Sequence, residues 1–115
     1  MTEYRIKRIY ELPAEDDGYR ILVDRLWPRG VSKQKAALDE WRRDVAPSNE
    51  LRQWFNHDPV RFNEFQARYV SELSEGVAAA ELCEAVEHEP VVTLLYSAHD
   101  ERYNQAVVLQ GYLQK

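Results

Sequence analysis

Apolar positions change their spacing along the chain, and each spacing predicts an element. Over residues 4–10, Tyr4, Ile6 and Arg8 alternate imperfectly with Arg5, Lys7 and Ile9, which predicts a strand because neighbouring side chains of extended backbone point to opposite faces. Residues 11–18 contain Pro13, Asp16, Asp17 and Gly18, which fix or free the backbone locally and predict a loop. Over 19–26 the chain sets Ile21, Leu22 and Val23 in succession, and 91–96 repeats the pattern with Val91, Val92, Leu94 and Leu95. Such runs suit strands covered on both faces, so these two are expected to be central, parallel and close neighbours. The eight residues 11–18 are short for a parallel crossover, which leaves the direction of the first strand open.

Between the two apolar runs the period turns helical. Trp27, Pro28, Arg29 and Gly30 end the first run, since proline cannot continue a ladder and glycine permits a sharp bend. Ser32 is a candidate N-cap for a short helical turn. Over 38–45 two spacings coexist: Leu38, Trp41 and Val45 fit a helix, while Asp39, Trp41, Arg43 and Val45 alternate as in a strand. Ser48 caps a short helix predicted over 49–56, with Leu51, Trp54 and Phe55 on one stripe. Asp58 followed by Pro59 is the strongest helix start in the chain, and Phe62, Phe65, Tyr69 and Leu73 line the buried face that follows. Further helices are predicted over 77–87, with Ala79, Leu82, Cys83 and Val86 inward, and over 103–113, with Ala106, Leu109 and Leu113 inward. The whole predicts an α/β fold: one domain, 1–115, with a small, mostly parallel sheet covered by helices in a Rossmann-like three-layer sandwich.

Composition narrows the function. The chain has 115 residues, with 20 acidic against 15 basic side chains and a net charge of -5. That balance excludes a surface built throughout to neutralise phosphate backbones, and no helix clusters its basic residues, so nucleic acid is not an expected partner. Cys83 is the single cysteine, which rules out an intramolecular disulfide and a cysteine-cluster zinc site. The N-terminal MTEYRIKRIY lacks a signal-peptide core, and no apolar run approaches the roughly 18 residues of a membrane span. A cytoplasmic protein without membrane association is expected. His57, His88 and His99 lack close metal-ligand spacing, and the 4 glycines form neither a P-loop nor GxGxxG. No metal and no cofactor is expected. Cys83 reads as a structural thiol, and Ser97 has no glycine-flanked elbow of the kind hydrolases use.

Candidate chemistry gathers where the two apolar runs end, because strand ends and helix N-termini converge into a crevice in open α/β sheets. After the first run come Asp24, Arg25, Trp27 and Arg29. The guanidinium forks match phosphate or carboxylate oxygens, and the indole offers a stacking surface. The plainer alternative has Arg25 paired with Asp24 or another acid, Trp27 packed under a loop and Arg29 in solvent. After the second run come Ser97, His99 and Asn104, which can add directed hydrogen bonds beside a helix N-terminus. Ser97 or Asp100 could equally cap the last helix.

The segments YRILVDRLWPRG, VAPSNELRQWFNHDPVRFNEFQARYVSEL and VVTLLYSAHDERYNQAVVL together resemble the YeaO-like family of uncharacterised bacterial proteins, over most of the chain. The resemblance implies a compact α/β cytoplasmic protein, a domain of unknown function, and brings no substrate or catalytic residue with it. Its motif positions fall on Asp24, Arg25, Trp27, Pro28, Arg29, His57, Ser97 and Asn104. Tyr103 stands where histidine is commoner in the family, which tells against a base at that position. The expected function is binding of an anionic small molecule, a nucleotide or phosphorylated metabolite, with Arg25 and Arg29 as clamps, Trp27 as a stacking wall and Ser97, His99 and Asn104 opposite. A regulatory or nucleic-acid-associated binding module is the alternative, and whether chemistry follows binding is open.

Overall fold

The two apolar runs form the middle of a four-stranded parallel sheet, seen in a computed structural model that describes residues 2–114. Strands β1 (Glu3–Arg8), β2 (Tyr19–Leu22), β3 (Glu40–Trp41) and β4 (Val91–Tyr96) lie in the order β1-β4-β2-β3. β4 pairs on one side with β1, Glu3 opposite Val91, and on the other with β2, Leu22 opposite Leu95. The expected parallel pairing of the two runs is present. The first strand is parallel too, because it lies beyond β4 rather than beside β2. Residues 9–18 return the chain to the start of β2: ten residues reach up to ~33 Å when extended, and a six-residue strand is only ~20 Å long.

Alternation divides the sheet into two faces. Tyr4, Ile6, Ile21, Val23, Val92, Leu94 and Tyr96 face the larger core. Against them pack α2 (Asn49–Phe55), α3 (Phe62–Glu75), α4 (Ala78–Ala85) and α5 (Gln105–Leu113). Phe62, Phe65, Tyr69 and Leu73 are all buried there, as their spacing predicts. On the other face Ile9, Leu22 and Leu95 meet Ala36 of α1 (Lys33–Ala36), with Trp27, Val31, Leu38 and Trp41 packed around them. That outer layer is mostly irregular chain plus one short helix.

Several elements end sooner than their patterns suggest. The strand predicted over 19–26 stops at Leu22; the Val23 amide still donates to the Leu95 carbonyl at 3.0 Å, and the chain then turns away at Asp24. Over 38–45 both spacings are real and short, with two residues of β3 followed by a 3-10 turn at Arg43–Val45. Asp58 does cap, accepting from the Val60 amide at 3.0 Å, but the first turn, Pro59–Arg61, is 3-10 and α3 begins at Phe62. The loop 11–18 contains a 3-10 turn, Glu15–Asp17, that inserts Asp17 beneath the sheet. There its carboxylate accepts from Arg20 at 2.5 Å and from Lys7 at 3.1 Å, while its carbonyl accepts from the Thr93 hydroxyl at 2.6 Å. Gly18 follows with φ 67°, and a Cβ there would stand 2.3 Å from the Val91 carbonyl oxygen, so only glycine passes this crossing. Among the described residues no helix is long and apolar enough to cross a membrane.

Candidate functional site

Strand register builds the site. With Leu22 opposite Leu95, continuing the ladder by two residues sets Asp24 across from Ser97, one residue beyond the end of β4. The Asp24 carboxylate accepts from the Ser97 hydroxyl at 2.6 Å and its amide at 3.1 Å, and from the Gln105 side chain at 2.5 Å. Gln105 reaches it because α5 starts there, one residue after its N-cap. The Trp41 indole donates to the Asp24 carbonyl at 2.7 Å, and Arg8 donates to the Ala98 carbonyl at 2.9 Å and the Ser97 carbonyl at 3.3 Å. Both strand-end loops are thereby held in place.

These loops open on a cavity of about 350 Å³, lined among others by Asp24, Arg25, Trp27, Arg29, Arg52, Phe55, His57, Phe65, Ser97 and Gln105. Three guanidinium groups face one carboxylate, so its charge balance is opposite to that of the protein as a whole. Asp24 is only 8% exposed. Burial pushes its carboxyl above the ordinary aspartate range, against the pull of Ser97, Gln105 and the nearby His57. Arg25 lies part-buried with Nε on the Pro47 carbonyl at 2.8 Å and Nη2 on the Ala46 carbonyl at 3.1 Å, which leaves Nη1 without a protein hydrogen bond. Arg52, on α2, has its Nε buried with no hydrogen-bond partner. His57 follows Asn56 at the end of α2, and both hold left-handed backbone, at φ 54° and 46°. For Asn56 that conformation is an ordinary helix C-cap, its amide donating to the Arg52 carbonyl; for His57 it carries a cost.

Of the sequence-predicted residues, Arg25, Trp27, Arg29 and Ser97 line this cavity together, and His99 and Asn104 do not. Trp27 is anchored by a 2.7 Å hydrogen bond to the Val31 carbonyl and packs edge-on against Trp41 at 5.4 Å. Arg29 is exposed, its carbonyl accepting from Tyr10 at 3.1 Å. His99 is exposed, away from the cavity. Asn104 is buried as the α5 N-cap, accepting from the Val107 amide at 3.0 Å and donating to the Asp100 carbonyl at 2.8 Å. Sequence reasoning missed Arg52 and Gln105. Arg52 was discoverable as the basic neighbour of the Leu51 and Phe55 stripe; Gln105 carries no signal before the register is known. Among the described residues no three His, Cys, Asp or Glu side chains are placed to hold a metal ion.

Comparison with known proteins gives this geometry a family. Residues 3–115 match the family model described as the inactive DUF488-N3 subclade. The chain belongs to that subclade. Curated relatives include the uncharacterized protein YeaO of Escherichia coli, 42% identical over 107 residues that cover 93% of each chain. An uncharacterized protein of Mycobacterium tuberculosis is 43% identical over 109 residues, covering 95% of this chain and 92% of its own. The YeaO-like assignment made from motifs therefore holds for this DUF488-N3 member. No solved structure matches it significantly.

Proposed function

We propose that this protein binds a small anionic metabolite, a nucleotide or another phosphorylated compound, in the strand-end cavity and does so without turning it over. The observation that carries the reading is the convergence of three guanidinium groups, Arg25, Arg29 and Arg52, on one cavity of a chain whose net charge is -5, with the buried Nε of Arg52 also lacking a protein partner, so that this side chain is not neutralised or anchored from within. Arg25, in the same cavity, is pre-set by two backbone carbonyls, so little side-chain freedom is lost when its remaining donors meet an oxyanion. Arg29 at the rim adds charge that steers an anion inward. The family description as inactive supports binding over catalysis, and a volume of about 350 Å³ suits a single small ligand.

The test is a thermal-shift and calorimetric titration with inorganic phosphate, ribose 5-phosphate and nucleoside monophosphates, since a ligand selective for the folded state raises the melting temperature. At least one should do so, and Arg52→Gln should weaken its binding by on the order of tenfold or more, as loss of a charged hydrogen bond requires. Arg52 is the better probe than Arg25, whose removal also frees two carbonyls. If no phosphate-bearing compound shifts the wild type, or if Arg52→Gln binds it equally well, the reading falls.

A further inference from the structure

The cavity presents an unmet acceptor as well as unmet donors. A carboxylate offers about four lone-pair sites, and Asp24 has three in use: two oxygen–donor contacts from Ser97 and one from Gln105. The oxygen bonded to Gln105 therefore keeps one acceptor position, on a residue that lines the cavity and is 8% exposed. An anion alone satisfies Arg52 and Arg25 and leaves Asp24 facing like charge. The remaining lining is mostly apolar and aromatic, with Trp27, Ala46, Phe55, Phe65 and Ala98 beside the polar groups of Tyr10 and His57, so it covers the faces of a ring better than a chain of hydroxyl groups. A flat heterocycle has apolar faces and one polar edge, and fits that lining.

We infer that the ligand is a base-bearing phosphate of mononucleotide size, whose ring N–H donates to Asp24 while its phosphate meets Arg25 and Arg52. This rests on the anion-binding reading above and narrows its ligand class. Ser97 and Gln105 are positioning residues here, holding the carboxylate at a fixed angle. The donor requirement also explains why a carboxylate sits among three arginines in a site for an anion: it selects the base edge against simple phosphates.

Calorimetric titration of GMP, UMP and ribose 5-phosphate into wild type and Asp24→Asn tests this, with melting curves confirming that the variant is folded. GMP or UMP should bind wild type on the order of tenfold or more tighter than ribose 5-phosphate, and that margin should collapse in Asp24→Asn while ribose 5-phosphate binding holds or improves. Ribose 5-phosphate binding as tightly as both nucleotides would overturn the inference from wild type alone, and an unchanged margin in the variant would do the same; both leave the anion reading intact. Binding of inorganic phosphate or ribose 5-phosphate with no binding of either nucleotide also overturns only this inference. If nothing anionic binds, both fall together.

Discussion

At the scale of the residue, the most consequential group is the Asp24 carboxyl, which is buried, hydrogen-bonded three times and still held above its ordinary value of 3.8. A raised value means that the folded protein keeps this proton to higher pH than the unfolded chain does. The associated stability is complete below the unfolded value and is lost as pH rises from there through the raised one. Asp24→Asn removes that loss: its carbonyl oxygen can still accept from Ser97, and the Gln105 amide can turn to accept from the new amide. The variant should therefore gain stability over wild type as pH climbs from about 4 and level off once Asp24 is fully ionised. Urea denaturation of both proteins across that range checks it, and a difference independent of pH would contradict the burial argument. Asp17 shows the opposite balance. Burial pushes its carboxyl up, and the Ala14 amide, Lys7 and Arg20 more than offset this, so it lies below the ordinary range.

Among the elements, α3 carries the core. Its 14 residues present Phe62, Phe65, Tyr69 and Leu73 to the sheet, and Phe65 stacks on Phe55 of α2 at a centroid distance of 4.2 Å. Tyr69 is tied in by a 2.5 Å hydrogen bond to the Val45 carbonyl. Removing the Phe65 ring, 1% exposed, loses its transfer energy and leaves a hole beside the strand-end cavity. Phe65→Ala should cost on the order of 3–5 kcal/mol in chemical denaturation. A loss below about 1 kcal/mol would mean that the face collapses around the gap, against the close packing of its three aromatic neighbours Phe55, Phe62 and Tyr69. The N-caps work differently, since Ser32, Ser48, Asp58 and Asn104 each accept from a backbone amide in the first turn of their helix. Three of the four were legible as caps from residue type and position alone. Asn104 was read as a site residue because an asparagine after a strand-end loop serves either role, and only the hydrogen bonds to Val107 and Asp100 distinguish them.

For the molecule as a whole, electrostatics sets the expectation for small ligands against nucleic acid. The net charge is -5, while the cationic side chains of the site converge on one concave opening rather than a stripe. A mononucleotide-sized anion can enter such an opening; a duplex needs phosphate contacts spread over a wide face. Duplex DNA should bind weakly at physiological salt in a titration series, and sub-micromolar binding with a steep salt dependence would reverse this ranking. Local chemistry was enough to determine the α/β class, the two central strands and the long helix, because burial imposes a period of two or 3.6 on apolar side chains wherever it acts. It was also enough to point to the strand-end loops holding Asp24, Arg25, Trp27 and Ser97. What depended on the tertiary structure was every relation between distant segments. Asp24 meets Ser97 because β2 and β4 share a register, and Gln105 and Arg52 join them because α5 and α2 pack on the same face. β1 runs parallel beyond β4, a placement that the length of the loop after it permits without deciding. No single segment records these contacts, since each residue's partner is set by backbone pairing and packing with segments far along the chain, 81 positions away for Asp24 and Gln105.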